Sequence, residues 1–296
     1  MILVVGSTGM VGSEICRILA SQGKPFRALV RETSDPAKVE RLKGYGAQLV
    51  KGDLRDPASL KAACQGVNAV ICTVSAMPFS YQPGTNDIQA VDVAGVTHLI
   101  DAAKAAGVKH FIDTSFSKNI CRDFPLCNAK RAVEKYLMES GLVYTILRPS
   151  YFMEAWLSPM VGFDAANAKA ALYGTGDQLI AWISFKDVAQ FAVASLDNPA
   201  ARNTVLELGG PESLSPHQVV KMFEAATGKT FEVNHVPAEA LKAQMDGASE
   251  PMQKSFAGLM LSYADGDPID MAPVQKAFAV HLTSLREFVT GATATA

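Results

Sequence analysis

A short apolar stretch, Ile2 to Val5, runs directly into Gly6-Ser7-Thr8-Gly9-Met10-Val11-Gly12, and the residues that follow place apolar side chains at helical spacing. A glycine pattern of this kind has meaning only between a strand and a helix, and that is where this one lies. Gly6 permits the tight turn, and Gly9 lets backbone N–H groups approach a pyrophosphate. Gly12 lets the helix lie close to the strand, so that its positive N-terminus faces the phosphates. Gly6, Ser7, Thr8, Gly9, Met10, Val11 and Gly12 are therefore expected to bind the phosphates of a dinucleotide.

The chain beyond this loop repeats the same rhythm. Val/Ile-rich runs at Ile2 to Val5, Phe26 to Val30, Gln48 to Val50, Ala69 to Val74, His110 to Thr114 and Tyr144 to Leu147 alternate with longer amphipathic segments at Val11 to Gln22, Pro57 to Ala63, Asp87 to Ala106 and Ala129 to Ser140. Three of those segments stop at a glycine (Gly23, Gly107, Gly141), as helix C-caps do. The alternation predicts an α/β fold, a Rossmann-type doubly wound parallel sheet. After Pro149 the pattern loosens. Ile180 to Ile183 and Thr204 to Leu208 read as strands returning to the main sheet around a helix at Phe185 to Asp197. Pro211 to Pro273 reads mostly helical, with one strand at Phe231 to Val236. The expected division is a dinucleotide-binding domain over 1–150, joined by about 178–210, and a smaller, mostly helical C-terminal substrate domain from 151–177 and 211–290. Ser215-Pro216 marks a helix start closed by Gly228, Ser284 and Glu287 have capping-box spacing, and 291–296 should fray.

Composition excludes several classes of function. The 296 residues are 49% hydrophobic and 19% charged with a formal net charge of −2, so no basic field for nucleic acid exists, and a small-molecule partner is expected. No apolar run approaches the ~18 residues of a membrane span, and Met1 to Val5 is too short for a signal core, which points to a cytoplasmic protein. Cys16, Cys64, Cys72, Cys121 and Cys127 show neither C-x-x-C pairs nor zinc spacing with the histidines, so they read as buried free thiols and no metal is expected.

The second strand ends at Val30, where NAD-specific folds place an acid that holds the ribose 2′-hydroxyl; here the next residue is Arg31. A guanidinium cannot accept that proton but grips a 2′-phosphate, so NADP(H) is expected over NAD(H), unless the adjacent Glu32 points inward. Asp53, in Gly52-Asp-Leu-Arg-Asp56, is the candidate for the adenine edge, with Leu54 packing on the ring. Asp56-Pro57 reads as a helix cap instead. Thr73, Val74 and Ser75 are small enough at the end of the fourth strand to leave room for a ribose.

Taken together, GSTGMVG, Leu29-Val-Arg31, Gly52-Asp-Leu54, Ala105-Ala-Gly-Val-Lys109, Tyr144-Thr-Ile-Leu-Arg-Pro149 and Leu208-Gly-Gly-Pro-Glu212 resemble the NmrA-like branch of the atypical short-chain dehydrogenase/reductases. That group includes NADPH-dependent quinone and isoflavone reductases and redox-sensing regulators. The resemblance covers nearly the whole chain. It implies that Thr114, Ser115 and Phe116 lie beside the nicotinamide, that Lys130 bonds the nicotinamide ribose, and that Pro149, Tyr151 and Phe152 pass the carboxamide. Lys130, Ser115 and Tyr151 are the candidate catalytic residues.

One departure from the wider superfamily is chemical. Short-chain dehydrogenases pair the lysine with a tyrosine four residues earlier on the same helical face, and here that residue is Leu126. Cys127 lies about 100° off that face. A quinone that takes a hydride becomes a phenolate whose conjugate acid has a pKa of about 10, so water can protonate it and a positioned acid is dispensable. Lys130 can assist electrostatically or, if desolvated, as a shifted-pKa acid. Phe79, Tyr81, Tyr151 and Trp156 are candidates for a flat aromatic substrate slot, with Gly84 on the same loop as the first two, and the alternative for each is core packing. Two functions stay open: an NADPH-dependent reductase of quinones or conjugated enones, and a non-catalytic NADP(H) sensor acting on a protein partner. An epimerase or dehydratase would need the missing tyrosine.

Overall fold

The structure is a computed structural model that describes residues 1–77 and 80–294. In chain order the elements are β1 (Ile2–Val5), α1 (Met10–Ser21), β2 (Phe26–Val30), α2 (Pro36–Gly44), β3 (Gln48–Lys51), α3 (Pro57–Cys64), β4 (Ala69–Cys72), α4 (Val96–Ala105), β5 (His110–Thr114), α5 (Pro125–Glu139) and β6 (Tyr144–Pro149). Then come α6 (Met153–Trp156), β7 (Phe163–Asp164), β8 (Lys169–Tyr173), α7 (Phe185–Ala194), β9 (Thr204–Leu208), α8 (Pro216–Thr227), β10 (Glu232–Val236), α9 (Ala238–Gly247), α10 (Pro251–Asp265), α11 (Ala272–Ala277) and α12 (Leu285–Ala294).

The main sheet has the order β3-β2-β1-β4-β5-β6-β9, and the pairings β2–β3, β1–β2, β1–β4, β4–β5 and β5–β6 are parallel. This is the Rossmann-type order, in which the chain reverses direction of winding between β1 and β4. Sequence explains each strand's place. β4 and β5 are buried at every residue, as strands covered on both faces must be, whereas edge strand β3 begins and ends on exposed Gln48 and Lys51. Leu3, Val5, Val70, Cys72 and Phe111 of the central strands pack with Leu60, Leu99, Ile100 and Leu137 of the helices. The glycines expected to close α1, α4 and α5 all have left-handed φ (Gly23 +64°, Gly107 +73°, Gly141 +84°).

The chain divides into two compact units. The first comprises Met1–Ser115, Asn128–Leu147 and Val188–Leu206, and the second Phe116–Cys127, Arg148–Asp187 and the chain from Glu207 onward. The second unit thus takes up 116–127 and 178–187, which the sequence reading places with the dinucleotide-binding part. Its own bonds account for the first of these segments. Ser117 Oγ and Asn119 Nδ2 donate to Asp267 Oδ1 at 2.7 and 2.9 Å, and the Leu126 N–H donates to Ser255 Oγ at 3.1 Å.

Ile180 to Ile183 is not a strand of the main sheet; Ile180 makes only isolated bridges to Leu214 and Asp267, and Ile183 one to Phe152. The second unit instead has its own three-stranded sheet, β10-β8-β7, whose middle strand Lys169-Ala-Ala-Leu-Tyr173 is too alanine-rich to read as β. α8 begins with a full capping box between Ser215 and Gln218 and ends at Gly228 with φ +69°. The Ser284–Glu287 box opens α12, which continues past Gly291, so fraying does not begin there. The free-thiol reading is corrected for two of the five cysteines: Cys121 and Cys127 are disulfide-bonded, while Cys16, Cys64 and Cys72 are buried and free. Among the described residues no helix is long and apolar enough to cross a membrane.

Candidate functional site

The glycine loop leaves β1 at the reversal between β1 and β4. Gly6 has φ +84°, and the Gly9 N–H closes the turn on the Gly6 carbonyl at 2.9 Å. A Cβ on Gly12 would stand 2.2 Å from the Gly6 carbonyl oxygen and 2.7 Å from its carbon, so α1 seats on the loop only because residue 12 is glycine. Gly9 is the N-cap of α1 and supplies no side-chain acceptor. The first turn therefore presents N–H groups uncapped by any side chain, the condition for anion binding at a helix N-terminus. Ser7 contributes differently from the expectation: its buried hydroxyl donates to the Leu29 carbonyl at 2.7 Å and ties the loop to β2. Thr8 is half-buried, and Met10 is exposed.

Beyond β2, Arg31 is half-buried and its Nη1 donates to Asn86 Oδ1 at 3.2 Å. Asn86 is itself buried and donates to Ser80 Oγ at 3.2 Å. Sequence reading missed Asn86 because 55 residues separate the partners. Glu32 turns away to pair with Lys51 at 2.7 Å on the exposed edge. Asp53 is engaged by Arg55, which reaches both carboxylate oxygens at 2.9 and 2.6 Å; these hydrogen bonds, with a contribution from the Arg31 charge, hold its carboxyl below the ordinary value. Leu54, expected on the adenine ring, is a core residue whose Cβ abuts Gly95.

The ends of β4 and β5 meet α5 around a buried charge. Thr73 Oγ1 donates to the Val5 carbonyl at 3.3 Å, and Ser75 Oγ accepts from the Met77 N–H at 3.3 Å. The Lys130 side chain is 6% exposed; its Nζ donates to the Val74 carbonyl at 2.7 Å and lies 3.3 Å from Asp92 Oδ1. That second contact is within ion-pair reach, and the Asp92 charge acts across it on the ammonium. Asp92 is wholly buried and its Oδ2 accepts from the Ala76 N–H at 3.0 Å; it stands on a π-helical turn, Ile88–Gly95, that precedes α4. Asp113 is also buried, hydrogen-bonded with Cys72, and burial pushes its carboxyl up to about 6 against the pull of Lys130.

For Lys130 itself burial favours the neutral amine, but Asp92 and Asp113 outweigh it and the net shift is upward. The suggestion that desolvation makes Lys130 a low-pKa acid is thereby corrected: it is a held cation. Leu126, four residues earlier, is buried on α5, and Cys127 is consumed in its disulfide and is no substitute acid. Thr114 and Ser115 are both buried at the end of β5. Thr114 Oγ1 lacks a hydrogen-bond partner among the described residues, and Ser115 Oγ accepts from Arg131 at 3.4 Å.

Most of the remaining expected residues belong to the second unit. Phe116 stacks on Phe124 at 6.4 Å, Pro149 ends β6, and Phe152 caps α6. Tyr151 and Trp156 do come together, ring edge to face at 4.6 Å, and Tyr263 completes the cluster. Tyr151 is nonetheless core: it is fully buried, and burial together with the charge of Asp267 pushes its hydroxyl well above the usual range, which weakens it as a proton donor. Asp267 is a residue the sequence did not mark. It is wholly buried, accepts from Ser117 and Asn119, and burial raises its carboxyl. Tyr81 packs half-buried on the first unit's core, Gly84 takes φ +74°, and Phe79 lies outside the described residues.

Comparison with known proteins follows this geometry. Residues 1–290 match the NmrA-like family. The chain is 35% identical to an NAD(P)H azoreductase of Xenophilus azovorans over 254 residues, covering 85% of this chain and 82% of that one. It is 34% identical to an isoflavone reductase homolog of Zea mays over 262 residues, with 85% and 82% covered. Among solved structures, the NADPH complex of an Escherichia coli NADPH-dependent quinone oxidoreductase superposes with TM-score 0.78 at 25% identity, covering 99% of each chain. A loop flush against an uncapped helix at the sheet's reversal point, in a chain matched over nearly its full length, makes this protein a member of the NmrA-like family.

Proposed function

We propose that this protein is an NADPH-dependent reductase whose acceptor is a quinone-like or conjugated enone molecule. The observation that carries the reading is the uncapped first turn of α1, held against Gly6 by a glycine that admits no side chain. Residues present fit the cofactor. In this reading the N–H groups of Met10, Val11 and Gly12 would hold the pyrophosphate and the Arg31 guanidinium the 2′-phosphate, and the pairing of Glu32 with Lys51 supports the second assignment. Charge-assisted hydrogen bonds worth about 1.5–3 kcal/mol correspond to roughly a ten- to hundredfold preference for NADPH over NADH.

When bound, the cofactor supplies the hydride. Lys130, a cation fixed by Asp92, Asp113 and the Val74 carbonyl, orients the nearer ribose and biases the site toward an acceptor that gains negative charge. Leu126 occupies the position four before Lys130, where the wider superfamily has its tyrosine, and Tyr151 is itself buried with a raised pKa. An acceptor whose reduced form needs no strong acid suits such a site, since a phenolate with a conjugate-acid pKa of about 10 is protonated by water. The names of the relatives, an azoreductase, an isoflavone reductase homolog and a quinone oxidoreductase, support conjugated acceptors.

The test is NADPH oxidation, read as loss of absorbance, against quinones, azo compounds, enones and simple ketones, with binding titrations of NADPH and NADH alongside. Turnover of conjugated acceptors well above the protein-free rate, with simple ketones inert, is expected. Gly12→Ala, which forces α1 off the loop, should abolish NADPH binding. Tight NADPH binding without turnover of any acceptor would refute the reductase reading and favour a cofactor sensor.

A further inference from the structure

A second constellation lies wholly in the second unit, on residues that the cofactor reading does not use. After β8, the loop from Gly174 to Asp177 folds over the first turn of α8, where the His217 N–H donates to the Gly176 carbonyl at 3.1 Å. Gly176 has φ +84°, and a Cβ there would stand 2.8 Å from His217 Cε1 and 2.9 Å from Nε2, so the imidazole closes on the loop only over a glycine. His217 Nδ1 is 2.9 Å from Asp177 Oδ1. His235 is on β10, which pairs with β8, and its Nδ1 is 3.2 Å from the Gly174 carbonyl oxygen. The two Nε2 atoms face each other at 3.4 Å.

Donor bookkeeping gives this arrangement its meaning. An ionised carboxylate and a backbone carbonyl only accept, so Asp177 and Gly174 each hold the adjacent Nδ1 as the N–H. A neutral imidazole protonated at Nδ1 carries its lone pair on Nε2. Two lone pairs then point into one gap, an arrangement that a cation between them relieves. Two nitrogens bound tetrahedrally to one zinc ion at about 2.0–2.1 Å stand about 3.3–3.4 Å apart, which matches the observed separation. A carboxylate or carbonyl on the far ring nitrogen is also the usual outer partner of a metal-bound histidine.

We infer that His217 and His235 form a two-histidine site for a transition-metal dication of zinc-like preference, with water completing the coordination. Among the described residues no cluster of three or more His, Cys, Asp or Glu is suited to an ion, so this site is an open one made of two nitrogens, with Asp177 behind His217. A bound ion would staple the 174–177 loop, the start of α8 and β10 together.

The experiment titrates the tag-free full chain with Zn2+ in competition with a chromophoric chelator near neutral pH, in parallel with His217→Gln, His235→Gln and Asp177→Asn. Expected is one zinc per chain, a loss of affinity of about 10–100-fold for Asp177→Asn, and at least as large a loss for either histidine variant. Both histidines are solvent-accessible, so thermal midpoints without zinc should match wild type, and either variant suffices if the other folds poorly. Equal zinc uptake by wild type and the double histidine variant would overturn the site, as would no uptake at millimolar zinc. Histidine Cε1 proton resonances that titrate as a proton-sharing pair and ignore zinc would overturn it too.

Discussion

Replacing Asp92 by asparagine tests the buried cation directly. The substitution keeps the side chain's shape but removes the charge 3.3 Å from Lys130 Nζ. At that distance an effective dielectric of ~20 gives about 5 kcal/mol of gross attraction. Breaking a buried pair by removing one partner typically costs about 3–5 kcal/mol. Asp113 and the Val74 carbonyl remain beside the ammonium, so the lower end, about 3 kcal/mol, is expected. Urea unfolding reads it, with a helpful asymmetry: both tryptophans, Trp156 and Trp182, belong to the second unit, whereas far-ultraviolet circular dichroism reports both units. Asp92→Asn should move the dichroism midpoint more than the fluorescence midpoint. Adding Lys130→Met removes the stranded cation and leaves Asp113, already raised to about 6, to protonate. The double variant should therefore be less destabilised than the sum of the two single ones by about 2–3 kcal/mol. Single-variant costs that add within about 0.5 kcal/mol would refute the coupling, and with it the account of why Lys130 stays charged.

Other substitutions separate the remaining roles. Arg31→Gln should weaken NADPH binding by about 10- to 100-fold while leaving NADH nearly unchanged, and equal losses for both would remove Arg31 from the 2′-phosphate. Tyr151→Phe deletes a buried hydroxyl that has no hydrogen-bond partner among the described residues, so stability should hold and turnover should stay within a few-fold of wild type; a loss of about 10²–10⁴ would instead make Tyr151 the proton donor. His110 donates from Nε2 to Thr145, whose hydroxyl donates on to the Ala201 carbonyl; its buried Nδ1 has no hydrogen-bond partner among the described residues, and burial, with the Arg202 charge, lowers its pKa to about 4. Unfolded histidine titrates near 6.5, and between the two values the unfolded state holds more protons. Stability contributed above about 6.5 is therefore lost as pH falls toward about 4, by about 3 kcal/mol in all, and His110→Gln should flatten that slope in urea titrations.

The parallel sheet and the phosphate loop were legible because their determinants are local. Strand periodicity, a glycine after three of the helices, and the three glycines of the loop all act within a few residues, and the structure returns the first six strands with shifts of a residue or two, while α5 begins four residues earlier than expected and a π-helical turn replaces the first part of the segment read as one helix up to Ala106. What escaped depends on distance along the chain. β8 escaped because its alanines carry no strand signal, and its stability comes from pairing with β10 some 63 residues later, Lys169 opposite Glu232. Asn86, Asp267 and the facing histidines matter only through partners brought to them by the fold. Tyr151 illustrates the converse: its place after β6 suggested chemistry, but the aromatic ring serves a core with Trp156 and Tyr263.

The Lys130 cluster is the point at which stability alone stops explaining the sequence. One lysine and two aspartates, all nearly or wholly buried, cost more to desolvate than apolar residues of similar volume, which typically do as well or better in such places. The expense is contained in part by a carboxyl that stays largely protonated until about pH 6. It is contained further by a π-helical turn, an irregularity common at functional sites, that carries Asp92 into reach of Lys130. A local rule broken without a structural gain marks a place kept for another reason. Asp92 follows β4, Asp113 lies at the end of β5 and Lys130 is on α5, beside the sheet's reversal point, where open α/β sheets bind their ligands. The expense is consistent with a cation whose task is to meet a ligand, and it makes Lys130, rather than any tyrosine, the group on which the proposed chemistry turns.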